Sequence, residues 1–469
     1  MRSWKWKVQT NLETKKRKYS PRRAGTRKAR DVSVVYTARQ LSPLSGNGTS
    51  SAEREQLERK YRPKFLEKLD LRRLVTYVPN KKAPIYNWFK YKEGFSRELV
   101  HLILKEWKIP HSEIVLDPFA GCGTTLLACK ELGYRAIGLD IFPIAVYVTQ
   151  SKLKDYSDTE RLVKAVDKLF SRCIKLSAKK FPDVPIINKA FTLRTQSEIL
   201  AYKEEILKFA EPEQSFLMLG LLSILEEVSF TSKDGQFLRL VEKPIPEVRD
   251  ALRRKLLSML NDLEIQRGLF PVNGVEQVML AGDARAFDLP KHARGKVGAV
   301  ITSPPYLNRY DYSRTYALEL CTLFVNTPEE MRNIRHSLLR SHIESREMDA
   351  KQIALKSLDE ILWNLGQQKL NNERIPIMIR GYFEDMNEVI KSLSNQVKRG
   401  GLVALVVANA RFEGEMVPVD LMLSELAVQN DFKVEAIWVT RYKGNSSQQM
   451  AKYGRQPVRE SILFWRKTV

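Results

Sequence analysis

Cysteine is scarce in this chain of 469 residues, which holds four: Cys122, Cys129, Cys173 and Cys321. None sits at a paired, metal-type spacing, so a disulfide frame and a thiolate metal site are both set aside, and no metal is expected. Long apolar runs are missing too. The best candidate, 216–225, is shorter than the roughly 18 residues that a membrane-spanning helix needs. No apolar segment near the N-terminus reads as a secretion signal, and a cytoplasmic, nucleoid-associated setting is expected. Acidic side chains are in deficit: 55 Asp and Glu face 78 Lys and Arg, for a net charge of +23. A polyanion is the simplest explanation, with nucleic acid ahead of a membrane surface.

What is present falls into blocks. Residues 1–60 are poor in apolar side chains and crowded with Lys and Arg, which predicts a flexible basic arm that follows phosphates without reading sequence. From 61 to 150 the chain reads as the first part of an α/β core. Ser96 stands as an N-cap before Leu99, Leu102, Ile103 and Trp107 on one helix face. Ile114–Asp117 predicts a strand, followed by a turn through Gly121 and Gly123 and then a helix. Glycines at such a place let backbone approach a ligand at a helix N-terminus. A second strand, Arg135–Asp140, ends in a carboxylate where a doubly wound fold puts its ribose-hydroxyl acceptor. Leu126 occupies the position of the third glycine of the dinucleotide pattern. A cofactor of adenosine plus an amino acid therefore suits the turn better than one with a pyrophosphate.

Val300 and Ile301 end another apolar run, and Pro304 and Pro305 stop its ladder because neither has an N–H to donate. The corner that follows carries a hydroxyl, Ser303, and a ring, Tyr306. Acceptors in a ring plane and a face to stack on suit a nucleobase drawn out of its stack. An ordinary strand exit is the plainer alternative.

Asp117-Pro-Phe-Ala-Gly-Cys-Gly-Thr124 together with Thr302-Ser-Pro-Pro-Tyr306 resembles the S-adenosylmethionine-dependent amino-methyltransferases of DNA, most closely the cytosine-N4 branch. The likeness extends to Trp88–Leu104 and to Gly282–Arg285. It implies a Rossmann-like methyltransferase sheet, mostly parallel with a terminal antiparallel strand, plus helical insertions. It also implies S-adenosylmethionine as cofactor and double-stranded DNA as substrate, with a cognate restriction endonuclease as a further candidate partner. Residue by residue, it gives Ser303 and the Pro304 carbonyl the amine hydrogens and Tyr306 the base face, with Pro305 completing the corner. Asp140 would hold the ribose hydroxyls, Asp283 beside Ala284 the adenine amine, and Asp117 with the Gly121–Gly123 turn the methionine portion. Phe95, Ser96, Phe119, Thr124 and Ile141 complete the implied cofactor contacts.

Methylation at cytosine carbon 5 uses, in its own family, a Pro-Cys thiolate, and no cysteine here follows a proline. Adenine-N6 methylation, RNA base methylation and a catalytically silent DNA-binding subunit remain as alternatives. The remaining blocks are a helical insertion over 151–270, a core segment over 271–317 with the Ser-Pro-Pro-Tyr corner, and a second helical insertion over 318–375. Core completion over 376–469 includes a candidate DNA-facing loop at 441–457.

Overall fold

The computed structural model describes residues 50–233, 237–266, 275–347, 353–444, 454 and 456–469. The arm up to residue 49 and most of the 441–457 loop lie outside the described residues.

Eight strands form one sheet: β1 (Phe65–Glu67), β2 (Ile114–Asp117), β3 (Arg135–Asp140), β4 (Gln277–Ala281), β5 (Val297–Thr302), β6 (Val397–Ala408), β7 (Phe432–Gly444) and β8 (Pro457–Lys467). Their order is β1-β7-β8-β6-β5-β2-β3-β4. Only β8 runs antiparallel to its neighbours; every other pairing is parallel. This is the α/β methyltransferase-type sheet expected from the sequence, with its antiparallel strand last in the chain. Parallel strands covered on both faces must be apolar throughout, and all six residues of β5 are buried.

One face packs Leu99, Ile103, Leu126 and Cys129 against Ala299, Ile301 and Phe464. The other packs Tyr382, Phe383 and Leu421 against Val300, Leu405 and Trp465. The chain enters at β2, steps outward to β3 and β4, and returns to β5 on the other side of β2. That reversal leaves a crevice beyond the carboxyl ends of β2 and β5, where open α/β sheets bind their ligands.

Between residues 52 and 266 the principal helices are α1 (Ala52–Tyr61), α2 (Arg97–Glu106), α3 (Thr124–Leu132), α4 (Thr159–Ser171), α5 (Leu193–Ile206), α6 (Glu213–Ile224) and α7 (Val248–Gln266). Helix α1 falls inside the stretch expected to be an arm. Leu57 and Tyr61 join the core, and buried charges hold the helix as well. Arg54, fully buried, pairs with Glu360 at 2.7 Å and Glu415 at 2.8 Å, and Glu58 pairs with Arg459 at 2.9 Å. Ser96 does stand at the N-cap of α2, but its side chain makes no cap bond. The Arg97 N–H donates instead to Asn80 Oδ1 at 3.1 Å.

In the first insertion, α4 buries Leu162, Val166, Leu169 and Phe170, while Val163 is exposed and Cys173 lies beyond its end. Pro212 precedes α6, which is buried almost all round. The insertion shares one apolar core with Trp88, Phe142 and Tyr316. Further on lie α8 (Pro328–Ser337), α9 (Lys356–Gly366), α10 (Ile375–Gln396), which leads into β6, and α11 (Val419–Gln429). Among the described residues no helix is long and apolar enough to cross a membrane.

Candidate active site

The ends of β2 and β5 are stitched together by Asp117. Its carboxylate accepts from the Thr125 hydroxyl at 2.6 Å, from the Thr302 hydroxyl at 2.6 Å and from the Phe119 N–H at 3.1 Å. Burial pushes its pKa up to about 6, against the pull of Thr125 and Thr302. With its oxygens occupied in this way, Asp117 shapes the turn more than it faces a ligand.

The turn itself needs glycine. Gly121 (φ 53°) and Gly123 (φ 82°) are left-handed, where side chains are strained. A Cβ on Gly123 would also meet Thr149 Cγ2 at 2.7 Å. The Gly121 N–H donates to Asp140 Oδ2 at 2.9 Å, and the Phe142 N–H donates to Oδ1 at 2.9 Å. Burial again raises the pKa of Asp140 to about 6, with those backbone bonds opposing it.

These elements wall a cavity. Of the residues expected at the site, Phe95, Asp117, Phe119, Gly121, Thr124, Asp140, Ile141, Ser303 and Pro305 line it. Ser96, Gly123, Asp283, Ala284, Pro304 and Tyr306 are not among its lining residues. Asp283 is diverted by a neighbour two positions on: Arg285 Nε reaches Oδ1 at 3.0 Å and Arg285 Nη2 reaches Oδ2 at 2.7 Å.

Ser303 is oriented by its surroundings. Its hydroxyl donates to the Val406 carbonyl of β6 at 3.1 Å. The proton is thereby committed and the oxygen's lone pairs remain as acceptors. Tyr306 points its hydroxyl at Glu460 Oε1, 3.0 Å away. Glu460 is buried and also takes Lys443 at 2.5 Å and Arg441. Lys443 stands 5.3 Å from the centre of the Tyr306 ring, so the corner is joined to the foot of the loop that begins after β7.

The lining also holds Tyr91, Glu93, Tyr312, Ser341 and His342. Tyr91 and Glu93 fall in the Trp88–Leu104 stretch of the resemblance, whereas Tyr312 went unnoticed in the sequence. Tyr91 stacks on Tyr316 with ring centres 5.1 Å apart, and Glu93 accepts from the hydroxyls of Tyr310 (2.5 Å) and Tyr316 (2.6 Å). The available signal was the run of tyrosines at 306, 310, 312 and 316, directly after the proline corner. Among the described residues no group of three or more His, Cys, Asp and Glu could hold a metal ion.

Known proteins are similar to this chain in sequence. Residues 3–151 match a family model described as DNA methylase, and residues 92–213 match one described as D12 class N6 adenine-specific DNA methyltransferase. The type II methyltransferase M.BsoBI of Geobacillus stearothermophilus is 34% identical over 473 residues, covering 88% of this chain and 92% of its own. M.AvaI of Nostoc sp. is 34% identical over 452 residues, with the same two coverages, 88% and 92%. M.MvaI of Kocuria varians is 20% identical over 341 residues, covering 68% of this chain and 74% of its own.

Proposed function

The chain belongs to the type II DNA methyltransferases, and from that premise we propose that it methylates the N4 amine of a cytosine turned out of duplex DNA. S-adenosylmethionine is the cofactor, and when bound it supplies a methyl group activated by a sulfonium. The cavity suits that molecule chemically. Asp140 offers a carboxylate beside the aromatic and aliphatic walls Phe119, Ile141 and Phe142, and the left-handed Gly121 turn brings backbone close.

The observation that carries the reading is the Ser303 hydroxyl. Because it donates to Val406, it can only accept at the cavity, and an exocyclic amine is a donor. The Pro304 carbonyl, next to Ser303 in the corner although outside the lining of the free cavity, is the acceptor for the second amine hydrogen, and the nitrogen lone pair is then free to face the methyl. Asp140 holds the ribose hydroxyls, and Asp117 acts through the turn it orders. Alignment is the main contribution asked of such a protein. In the cell a cognate endonuclease reading the same site completes a restriction-modification pair.

Adenine-N6 methylation is the second reading, favoured by the match of 92–213 to an adenine-specific class. That segment carries the cofactor turn and not Ser303, so it bears on the donor more than on the acceptor base. The test is mass spectrometry of nucleosides from duplex DNA treated with the protein and labelled cofactor. Label is expected in N4-methylcytosine; label mainly in N6-methyladenine rejects the cytosine assignment and keeps the amine chemistry.

Cofactor affinity should depend on pH with a definite sign. A ribose bonds best to an ionised Asp140, whose pKa in the free protein is raised to about 6 by burial. Affinity should therefore rise from pH 5 to pH 7, by at most about tenfold per unit below that pKa. The same shift makes a small opposite contribution to folding: it favours the folded state below the unfolded pKa and is lost as pH rises through about 6. Asp117 titrates nearby. Calorimetric titration of Asp140→Asn should accordingly show weaker binding and a reduced pH dependence. An unchanged affinity would take Asp140 out of the cofactor site.

A further inference from the structure

One polar side chain in the cavity has nothing to bond. His342 is 2% exposed, lines the cavity with Ser341, Tyr312 and Ser303, and among the described residues has no hydrogen-bond partner on either ring nitrogen. The Arg335 carbonyl acts on the ring without completing a hydrogen bond. Buried polar atoms are seldom left orphaned, so a ligand that fills the cavity is the missing partner. Burial pushes the imidazole below its ordinary pKa. Asp311 and Glu344 oppose that shift and the Arg335 guanidinium adds to it. The ring is then neutral, with one N–H donor and one acceptor.

We propose that His342 donates its N–H to the ring nitrogen beside the reacting amine, N3 of the extruded cytosine, and so fixes the rotation of the base. This rests on the amine-transfer reading above. Two features select that atom. The charged neighbours of His342 are Asp311, just past the Ser303–Tyr306 corner, Arg335 on α8 and Glu344, and none belongs to the cofactor turn. In the amine-transfer reading Ser303 and the Pro304 carbonyl take the two amine hydrogens, which leaves the ring nitrogen as the adjacent atom still to be matched.

The test compares wild type and His342→Ala on two duplexes, one with cytosine at the target and one with 3-deazacytosine, where C–H replaces the ring nitrogen. Wild type should lose about tenfold in kcat/KM on the deaza duplex beyond any loss shown by His342→Ala, the size of one hydrogen bond. His342→Asn, which keeps a donor, should recover part of the cytosine rate and part of the discrimination. Unchanged S-adenosylmethionine affinity in both variants shows that the fold and the cofactor site are intact. If wild type and His342→Ala lose the same factor on the deaza duplex, His342 does not touch that atom and the proposal falls. If wild type labels adenine instead, the cytosine reading alone fails, and 1-deazaadenine duplexes put His342 to the same comparison.

Discussion

Ser303→Ala is expected to lower kcat by about 10²-fold or more, the scale for removing one well-placed polar group from a reacting centre. The hydroxyl donates to the Val406 carbonyl and also acts on the Tyr306 hydroxyl, so the structural loss is confined to the end of β5 and the corner that follows it. S-adenosylmethionine affinity should stay nearly unchanged, because Asp140 and the glycine turn lie on the other side of the cavity. Single-turnover methylation measured alongside cofactor titration separates the two effects. A variant that kept the wild-type rate would show that the amine finds its acceptor elsewhere.

The second large effect is on stability. Arg459 is buried and holds two carboxylates: Nη1 meets Glu58 at 2.9 Å and Nε meets Asp420 at 3.0 Å. Burial works against its charge, yet Asp420 and Glu58 more than offset that and raise its pKa. Arg459→Met would leave both carboxylates buried without their cation, at a cost of about 3–5 kcal/mol. Urea unfolding should show a lower midpoint with little change in slope. The triple variant Arg459→Met, Glu58→Gln, Asp420→Asn should recover much of the loss, since no unpaired charge remains. A single variant as stable as wild type would mean that water reaches the cluster.

How much of this was readable beforehand follows from the kind of force involved. The strands β2, β3 and β5 were legible because buried strands must be apolar and their ends are marked by Asp117, Asp140 and the paired prolines. Gly121 and Gly123 were legible because a left-handed turn leaves few other choices. Helix α1 was not legible, since its anchors are charges whose partners, Glu360, Glu415 and Arg459, lie some 300 to 400 residues away. Asp283 looked like a cofactor ligand at a strand end, and only the side-chain reach of Arg285 removes it from the cavity. Tyr306 was found, but its tie to Glu460 depends on how β8 lies relative to β5. Such an arrangement leaves no trace in local spacing.

The position of β1 carries a consequence for biosynthesis. Phe65, Leu66 and Glu67 pair in register with Ile437, Trp438 and Val439 of β7, and α1 docks on groups contributed by residues 360 to 459. Among the described residues, the first to leave the ribosome thus pair with groups that are made only when almost all of the rest has been. Domains usually settle from the N-terminus as they emerge, but here α1 and β1 must wait while the sheet and its helical insertion assemble. Once β7 has been made, its outer edge is open until β1 pairs with it, and in that state it can accept a strand from another molecule. The strand that closes that edge, β1, is the first of the sheet's strands to be made.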